Sequence, residues 1–343
     1  MGVYKAIREL ALGQLAAGAE VHLLINGRWP EDGVRAAGIV VHEGSLRDNL
    51  RVLRSLNDTE TVLHTHMIWS PVALLPLMMR GSRIRSVISP HGCLAAAAIV
   101  HKRLKKALFW RLLWRRAVKR HAMLIATSEA ERLDLASHQL GLPVTIVPNP
   151  LSGPRQASFE GVRKQQVVGY LGRFHPIKGL RELVEAWQVV STDFPGWRLQ
   201  IVGAADIPAY EEEVRRLASR DPSVAISPAV FGDSKWRFLA GCELVAVPSH
   251  AENFCYVVAE AYLAGTPVLA STGVPWPEIN ERDMGWRGEG SAGTLATLLR
   301  EALGSDGEER SRKAAVGKAF VNGEFGLARV AERSFEAYRA ILK

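Results

Sequence analysis

The sequence predicts an α/β protein of two doubly wound, Rossmann-like domains facing each other across a cleft. Three observations carry this prediction. At 343 residues the chain exceeds one core of ordinary size and favours two domains of roughly 150 residues each. Short β-rich runs alternate with helical stretches in both halves, the pattern of βα units and parallel sheets. The alternation breaks at Val147-Pro-Asn-Pro-Leu-Ser-Gly-Pro154, where three prolines in seven residues can continue neither a helix nor a central strand.

In the first half, Val21–Ile25, Thr61–His64, Arg85–Ile88 and Met123–Ala126 read as strands. Val3–Ala17, Ser70–Met79, His101–His121 and Ser128–Leu135 read as helices. A doubly wound domain normally opens on a strand and a glycine-rich turn, so an opening helix implies that the first strand is missing or that the fold begins differently. After the break, strands are expected at Val167–Leu171, Arg198–Val202, Leu244–Val247 and Val268–Ala270. Helices are expected at Leu180–Val190, Ala209–Ala218, Phe254–Ala264, Leu295–Leu303 and Leu327–Leu342. The expected domains are residues 1–150 and 151–326, with a final helix over 327–343 docking back on the first domain. Ligands of such sheets bind at the carboxyl ends of the strands.

With 48% apolar and 23% charged residues the composition is that of a globular protein, not a disordered one. The net charge of +8 is uneven, since residues 1–150 hold 20 Lys and Arg against 11 Asp and Glu while the remainder is nearly balanced. One half is therefore suited to face something anionic. Cys93, Cys242 and Cys255 match no metal-ligand spacing, and the ten histidines form no zinc motif. Free thiols fit a reducing compartment. The chain opens on no signal-peptide pattern, and its longest apolar run, Cys93 to Val100, is under half a bilayer span. A cytoplasmic protein able to rest at the inner face of a membrane is expected.

Two segments carry the chemistry. Pro248-Ser-His-Ala-Glu-Asn-Phe-Cys-Tyr runs from a strand end into a helix start, where unpaired backbone N–H groups suit phosphate or sugar hydroxyls. Glu252 ends the loop and Glu260 lies about two turns into the helix; by spacing alone the first equally well favours the helix dipole and the second a solvated face. Val168-Gly-Tyr-Leu-Gly-Arg-Phe-His-Pro-Ile-Lys-Gly-Leu180 is a strand, loop and helix in which Arg173 and Lys178 can both reach a diphosphate. Taken alone, such cations are more often structural or solvated. His64, His66 and Trp69 follow a strand and could line an acceptor, although histidines at a strand end more often make local hydrogen bonds.

In this order, about 75 residues apart, the two segments resemble the family 4 (group 1) retaining glycosyltransferases of the GT-B fold. Gly172-Arg173 with Lys178-Gly179 resembles the family's G-R…K-G turn, and Glu252 with Glu260 its E-x7-E motif. Gly273-Val-Pro-Trp276 followed by Gly285-Trp286 is similar to the subgroup that builds bacterial surface polysaccharides. Ser89-Pro-His-Gly92 resembles the loop that presents a histidine to the donor sugar.

The resemblance implies a metal-independent hexosyltransferase that uses a UDP- or GDP-sugar, with no metal or organic cofactor. Arg173 and Lys178 would neutralise the diphosphate, Glu260 would bind the ribose, and Glu252 the donor sugar. Phe254, Cys255 and Tyr256 would cradle sugar and phosphate through their backbone, and His91 would stand near the anomeric centre across the cleft. His66 and Trp69 would lie on the acceptor side. The acceptor would be a growing, lipid-linked glycan. The family usually has glycine where Cys255 stands, which puts turnover in question.

Residues 101–120 carry nine Lys and Arg and no acid, interleaved with Phe109, Trp110 and Trp114. They suggest peripheral contact with an anionic membrane, although the apolar positions run nearly all round the helix. Nucleic acid is not the expected partner, because no recognised binding module accompanies the charge. Two alternatives stand beside the transferase: a degenerate, non-catalytic GT-B assembly subunit, and a GT-B nucleotide-sugar epimerase.

Overall fold

A computed structural model describes residues 2–29, 33–58, 60–79, 81–94, 113–154, 159 and 161–342. The chain divides into two compact units, residues 1–152 with 325–343, and residues 153–324.

The first unit opens on α1 (Gly2–Ala16), followed by β1 (His22–Asn26), β2 (Val40–Gly44) and α2 (Leu46–Ser55). Ser45 starts α2 with a reciprocal capping box: its hydroxyl accepts from the Asp48 N–H, and the Asp48 carboxylate accepts from the Ser45 N–H. Then come β3 (Val62–His66), β4 (Arg85–Ser89), β5 (Met123–Ala126), α3 (Glu129–Ser137) and β6 (Val144–Ile146). β4 and β5 are almost wholly buried, as the continuous apolar runs of a two-sided parallel sheet require. All pairings are parallel, but the strands form two separate sheets, β1-β2 and β3-β4-β5-β6.

The second unit contains β7 (Gln165–Phe174), α4 (Leu180–Val190), β8 (Arg198–Ala205), α5 (Pro208–Ala218) and β9 (Val224–Pro228). It continues with α6 (Gly232–Gly241), β10 (Cys242–Val247), α7 (Tyr256–Leu263), β11 (Val268–Ser271), β12 (Gly285–Gly288), α8 (Ala292–Gly304) and α9 (Gly307–Phe325). One six-stranded parallel sheet orders these strands β12-β11-β10-β7-β8-β9. Counted from β7, the order is 3-2-1-4-5-6, the doubly wound arrangement whose chain direction reverses between β7 and β10. α4 buries Leu180, Leu183, Val184, Trp187 and Val190, an i, i+3, i+4, i+7 stripe, against Leu199 and Ile201 of β8.

The last helix, α10 (Leu327–Leu342), buries Val330, Ala331, Ser334 and Ala337 and belongs to the first unit. It lies on α1, where Gln14 donates to Ser334 Oγ (2.9 Å) and Tyr338 OH (3.0 Å).

Several elements differ from expectation. The single helix expected over Ser70–Met79 is a 3-10 turn followed by one short helical turn, Leu75–Met78, because Pro76 removes a backbone donor. β2, α2, β6, β9, α6, β12 and the long α9 are elements the periodicity did not suggest. The helix expected over His101–His121 falls largely on residues outside the described ones; of it, Arg115–Val118 is helical. Among the described residues no helix is long and apolar enough to cross a membrane.

Candidate functional site

The β7/β10 reversal point collects four of the expected site residues. β7 ends at Phe174, carrying Arg173, and turns through a 3-10 segment, Pro176–Lys178, into α4. Gly179 closes that turn in the left-handed region (φ 63°), and a side chain there would collide with the Pro248 carbonyl. Only glycine lets the Lys178 turn approach the end of β10 so closely. The loop after β10 is held from three directions. His250 N–H donates to Ile177 O (2.8 Å), Ser271 Oγ donates to Ser249 O, and Glu252 N–H donates to Gly273 O (3.0 Å).

On this frame, Lys178 Nζ lies 2.5 Å from Glu252 Oε1, which also accepts from Ser249 Oγ at 2.8 Å. Both partners of the pair are largely shielded, at 18% and 14% side-chain exposure, so their mutual attraction is weakly screened. Arg173 is more open and forms an ion pair with Asp206 at the end of β8. Arg173, Lys178, Ser249, Glu252 and Cys255 line one recess of about 150 Å³. The two cations therefore wait beside carboxylates rather than bare, and an incoming dianion would exchange one anionic partner for another.

Glu260 is not on a solvated face. It is 4% exposed in α7 and accepts from Lys235 Nζ of α6 at 2.7 Å. Breaking so buried a pair by removing one partner costs about 3–5 kcal/mol. Phe254 and Tyr256 pack edge to face, with ring centroids 5.0 Å apart. Phe254 O accepts from Trp276 Nε1 at 2.5 Å, tying the loop to the buried indole. Cys255, between them, has φ 64°. A side chain in that conformation costs about 1–2 kcal/mol, which is the physical reason a glycine suits the position. Burial, with Glu252 nearby, pushes the Cys255 thiol well above its ordinary pKa, so it is a neutral wall of the recess and not a nucleophile.

In the first unit, His91 follows β4 with φ 53°. Its loop is pinned by Glu131: Gly92 N–H donates to Oε1 (2.5 Å), and Thr127 donates to Oε2 from both N–H and Oγ1 (2.7 Å each). His91 Nε2 lies 2.9 Å from His66 Nδ1, and His66 stacks on His64 at 4.1 Å. His64 in turn reaches Ser89 Oγ and Tyr338 OH, each at 2.7 Å. His66 and His91, assigned from the sequence to acceptor and donor, are thus one hydrogen-bonded pair. Trp69 packs on the core of this unit against Trp114, 6.1 Å between centroids.

Residues 1–150 match the model of the glycosyl transferase 4-like domain, and residues 165–304 match glycosyl transferases group 1. The chain belongs to the group 1 glycosyltransferases. The D-inositol 3-phosphate glycosyltransferase of Segniliparus rotundus is 33% identical over 193 residues, 52% of this chain and 41% of that protein. The protein of the same description from Kineococcus radiotolerans is 27% identical over 63% of this chain and 56% of that one. The matches span less than two thirds of these relatives' own length. Among solved structures, Anabaena Alr3699/HepE in complex with UDP and glucose aligns with TM-score 0.73 at 19% identity, over 98% of this chain and 96% of that one. A trehalose-6-phosphate protein from E. coli bound with UDP-2-fluoro glucose aligns with TM-score 0.69 at 13% identity, covering 96% and 94%. These likenesses establish the GT-B fold.

Three polar partners in this glycosyltransferase escaped sequence reasoning: Lys235, Asp206 and Ser249. Lys235 lies in a short glycine-bounded helix whose buried stripe is only Trp236, Leu239 and Ala240, and nothing local announced its partner 25 residues on. Ser249 and Asp206 each follow a strand end, the one signal that could have flagged them.

His64, His66 and His91, with buried His121, whose Nε2 lies 3.5 Å from Thr65 Oγ1 of β3, have a solution consequence. Burial holds His64 at about 3, with His91 adding to the effect, and holds His91 and His121 at about 4; His66 is lowered well below its ordinary value. All four are neutral at pH 7. Each titrates lower in the folded state than in the unfolded chain, so its contribution to stability is complete above about pH 6.5 and is lost as pH falls towards 4. Each such group costs on the order of 1–2 kcal/mol at pH 5. Thermal unfolding should show Tm falling by about 10 °C or more between pH 7.5 and pH 5, with a shallower slope in His121→Gln. A flat profile over that range would contradict a neutral, buried cluster.

Proposed function

We propose that this glycosyltransferase moves a hexose from a UDP-sugar to a glycan acceptor with retention at the anomeric carbon. The observation that carries the proposal is the convergence of Arg173 and Lys178 with Glu252 at the sheet's reversal point, beside the start of α7. A donor diphosphate suits the two cations and the positive end of that helix's dipole, and the UDP bound to structurally similar proteins supports uridine as the base. Glu260, fixed by Lys235, is assigned to the ribose hydroxyls and Glu252 to the sugar.

In the reaction the bond from C1 to the diphosphate oxygen breaks while the acceptor oxygen bonds C1 from the same face. The acceptor's proton passes to the departing diphosphate. Negative charge grows on the leaving group, and cations already in place stabilise it without rearrangement. His91, neutral and oriented by His66, is assigned a hydrogen bond to sugar or phosphate. The scheme needs no metal and no protein nucleophile.

For the acceptor, the positive excess of residues 1–150 supports an anionic molecule at a membrane face, such as a lipid-linked glycan of a growing polysaccharide. The D-inositol 3-phosphate relatives favour a second reading, a soluble inositol phosphate, which the same charge suits.

Thermal unfolding with UDP, GDP and ADP tests the donor site. At a hundred times its Kd the matching nucleotide should raise stability by about 2.7 kcal/mol, and Glu260→Ala should abolish that increment. Ligand shifts, not absolute Tm values, are compared, because Glu260→Ala also strands Lys235. No shift with any nucleotide in folded protein would favour a degenerate assembly subunit. Nucleotide binding with conversion of UDP-sugar in the absence of acceptor would favour an epimerase.

A further inference from the structure

The two cations of the recess differ in what holds them. Lys178 and its partner Glu252 both line the recess and are both shielded. Arg173 lines it too, but its Nη1 donates to Asp206 Oδ2, and Asp206 does not belong to the lining. This second pair is far more open to water than the first. The resting structure thus engages Arg173 with a carboxylate that stands outside the place assigned to the diphosphate.

The backbone under each partner is fixed without the ion pair. β7 and β8 run side by side with Arg173 opposite Ala204 and Phe174 opposite Ala205. Tyr170 OH donates to Arg173 O at 3.0 Å. Asp206 N–H and Ile207 N–H reach Phe174 O at 3.4 and 3.3 Å, which keeps Asp206 one residue past β8 and beside the end of β7. Exposed ion pairs contribute little to folding, and here the strand ladder already joins the two segments. What the pair does control is the readiness of Arg173 to meet an anion. Glu252 cannot play the same part, because it lies within the recess and is assigned to the sugar.

We infer that Asp206 is a positioning residue which, by competing for Arg173, limits how tightly the site holds its nucleoside diphosphate product relative to the sugar donor. The inference rests on the donor site proposed above. In a sugar donor each phosphate of the diphosphate carries one charge. Once the bond to C1 has broken, the terminal phosphate is a monoester whose second proton leaves with a pKa of about 6, so at pH 7.5 the product carries nearly one charge more. Two uncompensated cations would hold that product more tightly than the donor, since attraction scales with charge. Competition from Asp206 reverses part of this bias. A ligand that pulls weakly leaves Arg173 on Asp206 and loses little affinity. One that pulls strongly draws the guanidinium away and loses the whole ion pair. The loss therefore falls hardest on the more highly charged product, and Arg173 can return to Asp206 as the phosphate departs. Its ceiling is the strength of an exposed ion pair, a factor of about five.

The test is calorimetry on the full chain at pH 7.5 with two probes, UDP and its β-methyl ester. The ester keeps the uridine and the diphosphate but lacks the extra charge and any sugar to be recognised. Asp206→Asn should bind UDP about fivefold more tightly and the ester about twofold, so that the ratio of the two affinities shifts by roughly two- to threefold. Asp206→Glu, which retains a carboxylate, should keep the ratio of the wild type. Tm of Asp206→Asn should stay within about 2 °C of wild type, which separates the effect from damage to the fold. In an Arg173→Ala background, Asp206→Asn should change neither affinity. Equal gains for the two probes, or none, would overturn the inference while leaving the donor site standing. A gain that persists without Arg173 would mean that Asp206 repels the phosphate directly, and would overturn the route through Arg173. Failure of folded wild-type protein to bind either probe would overturn the donor site itself, and this inference with it.

Discussion

Lys178→Ala should lower kcat/KM for the UDP-sugar by about 10²–10³, the largest single-residue loss of activity expected in the site. Removal of one preorganised donor to a developing oxyanion typically costs about 2.7–4 kcal/mol of transition-state stabilisation. Lys178 is preorganised in that sense: the Gly179 turn holds its backbone against Pro248, and Glu252 fixes its ammonium at 2.5 Å. Arg173, 61% exposed and paired with Asp206, should matter less, with Arg173→Ala losing about tenfold. The loss in Lys178→Ala must be separated from simple damage, because the variant leaves the Glu252 carboxylate with Ser249 as its remaining partner in a shielded recess. The double variant Lys178→Ala/Glu252→Gln removes that stranded charge. It should recover Tm to within a few degrees of wild type while kcat/KM stays depressed. Initial rates and melting curves on these three proteins and on Glu252→Gln alone, which shows the loss due to the sugar contact, decide the matter. Recovery of activity together with Tm would mean that Lys178 only neutralises Glu252 and that the diphosphate lies elsewhere.

Why some of this was legible in the sequence and some was not follows from the range of each interaction. α4 could be read because its buried stripe repeats at helical spacing, and β7 because Val167–Leu171 at its centre is a β-rich, largely apolar run. β2 is a short strand with exposed Val40 and polar His42 and Glu43, so its alternation carries no hydrophobic signal. β9 ends on a proline and lies at the sheet edge, where a missing donor is tolerated. The 3-10 turn and short helix over 71–78 lost their single-helix reading to Pro76, whose effect on the backbone outweighs an apolar run. Within the site, the local motifs yielded Arg173, Lys178, Glu252, Glu260 and the 254–256 loop, but not Ser249, which lies in the same segment and hydrogen-bonds Glu252. The partners from other elements were not found: the β7-β8 register brings Asp206 near and the β10-β11 register Ser271, while Lys235 reaches Glu260 from α6. The His66–His91 contact is of this kind too: it depends on β3 pairing with β4, which places two segments 25 residues apart side by side. The left-handed backbone at Cys255 explains why glycine is usual there, and nothing in the structure explains the cysteine.

Trp276→Ala is expected to produce the largest loss of stability, and its milder counterpart separates packing from positioning. Trp276 is 2% exposed and stacks among Phe254, Tyr262 and Phe320, with ring centroids 5.7, 6.4 and 6.3 Å away. Truncating a buried tryptophan to alanine costs about 3–5 kcal/mol through lost transfer energy and the cavity left behind. For a unit of this size Tm should fall by about 10 °C or more. The indole also donates its N–H to Phe254 O, one residue from Cys255 and two from the start of α7. Trp276→Phe retains a ring and loses that donor, so a buried carbonyl goes unpaired at a cost of about 1–3 kcal/mol. The effect on binding should exceed what so modest a loss of stability suggests, because the freed carbonyl belongs to the loop whose backbone is assigned to the sugar and phosphate. UDP affinity, measured by calorimetry, should fall about tenfold in Trp276→Phe while the protein remains folded at the assay temperature. Unchanged affinity in that variant would show that the 254–256 backbone holds its position through packing alone, and that the indole hydrogen bond serves the core and not the donor.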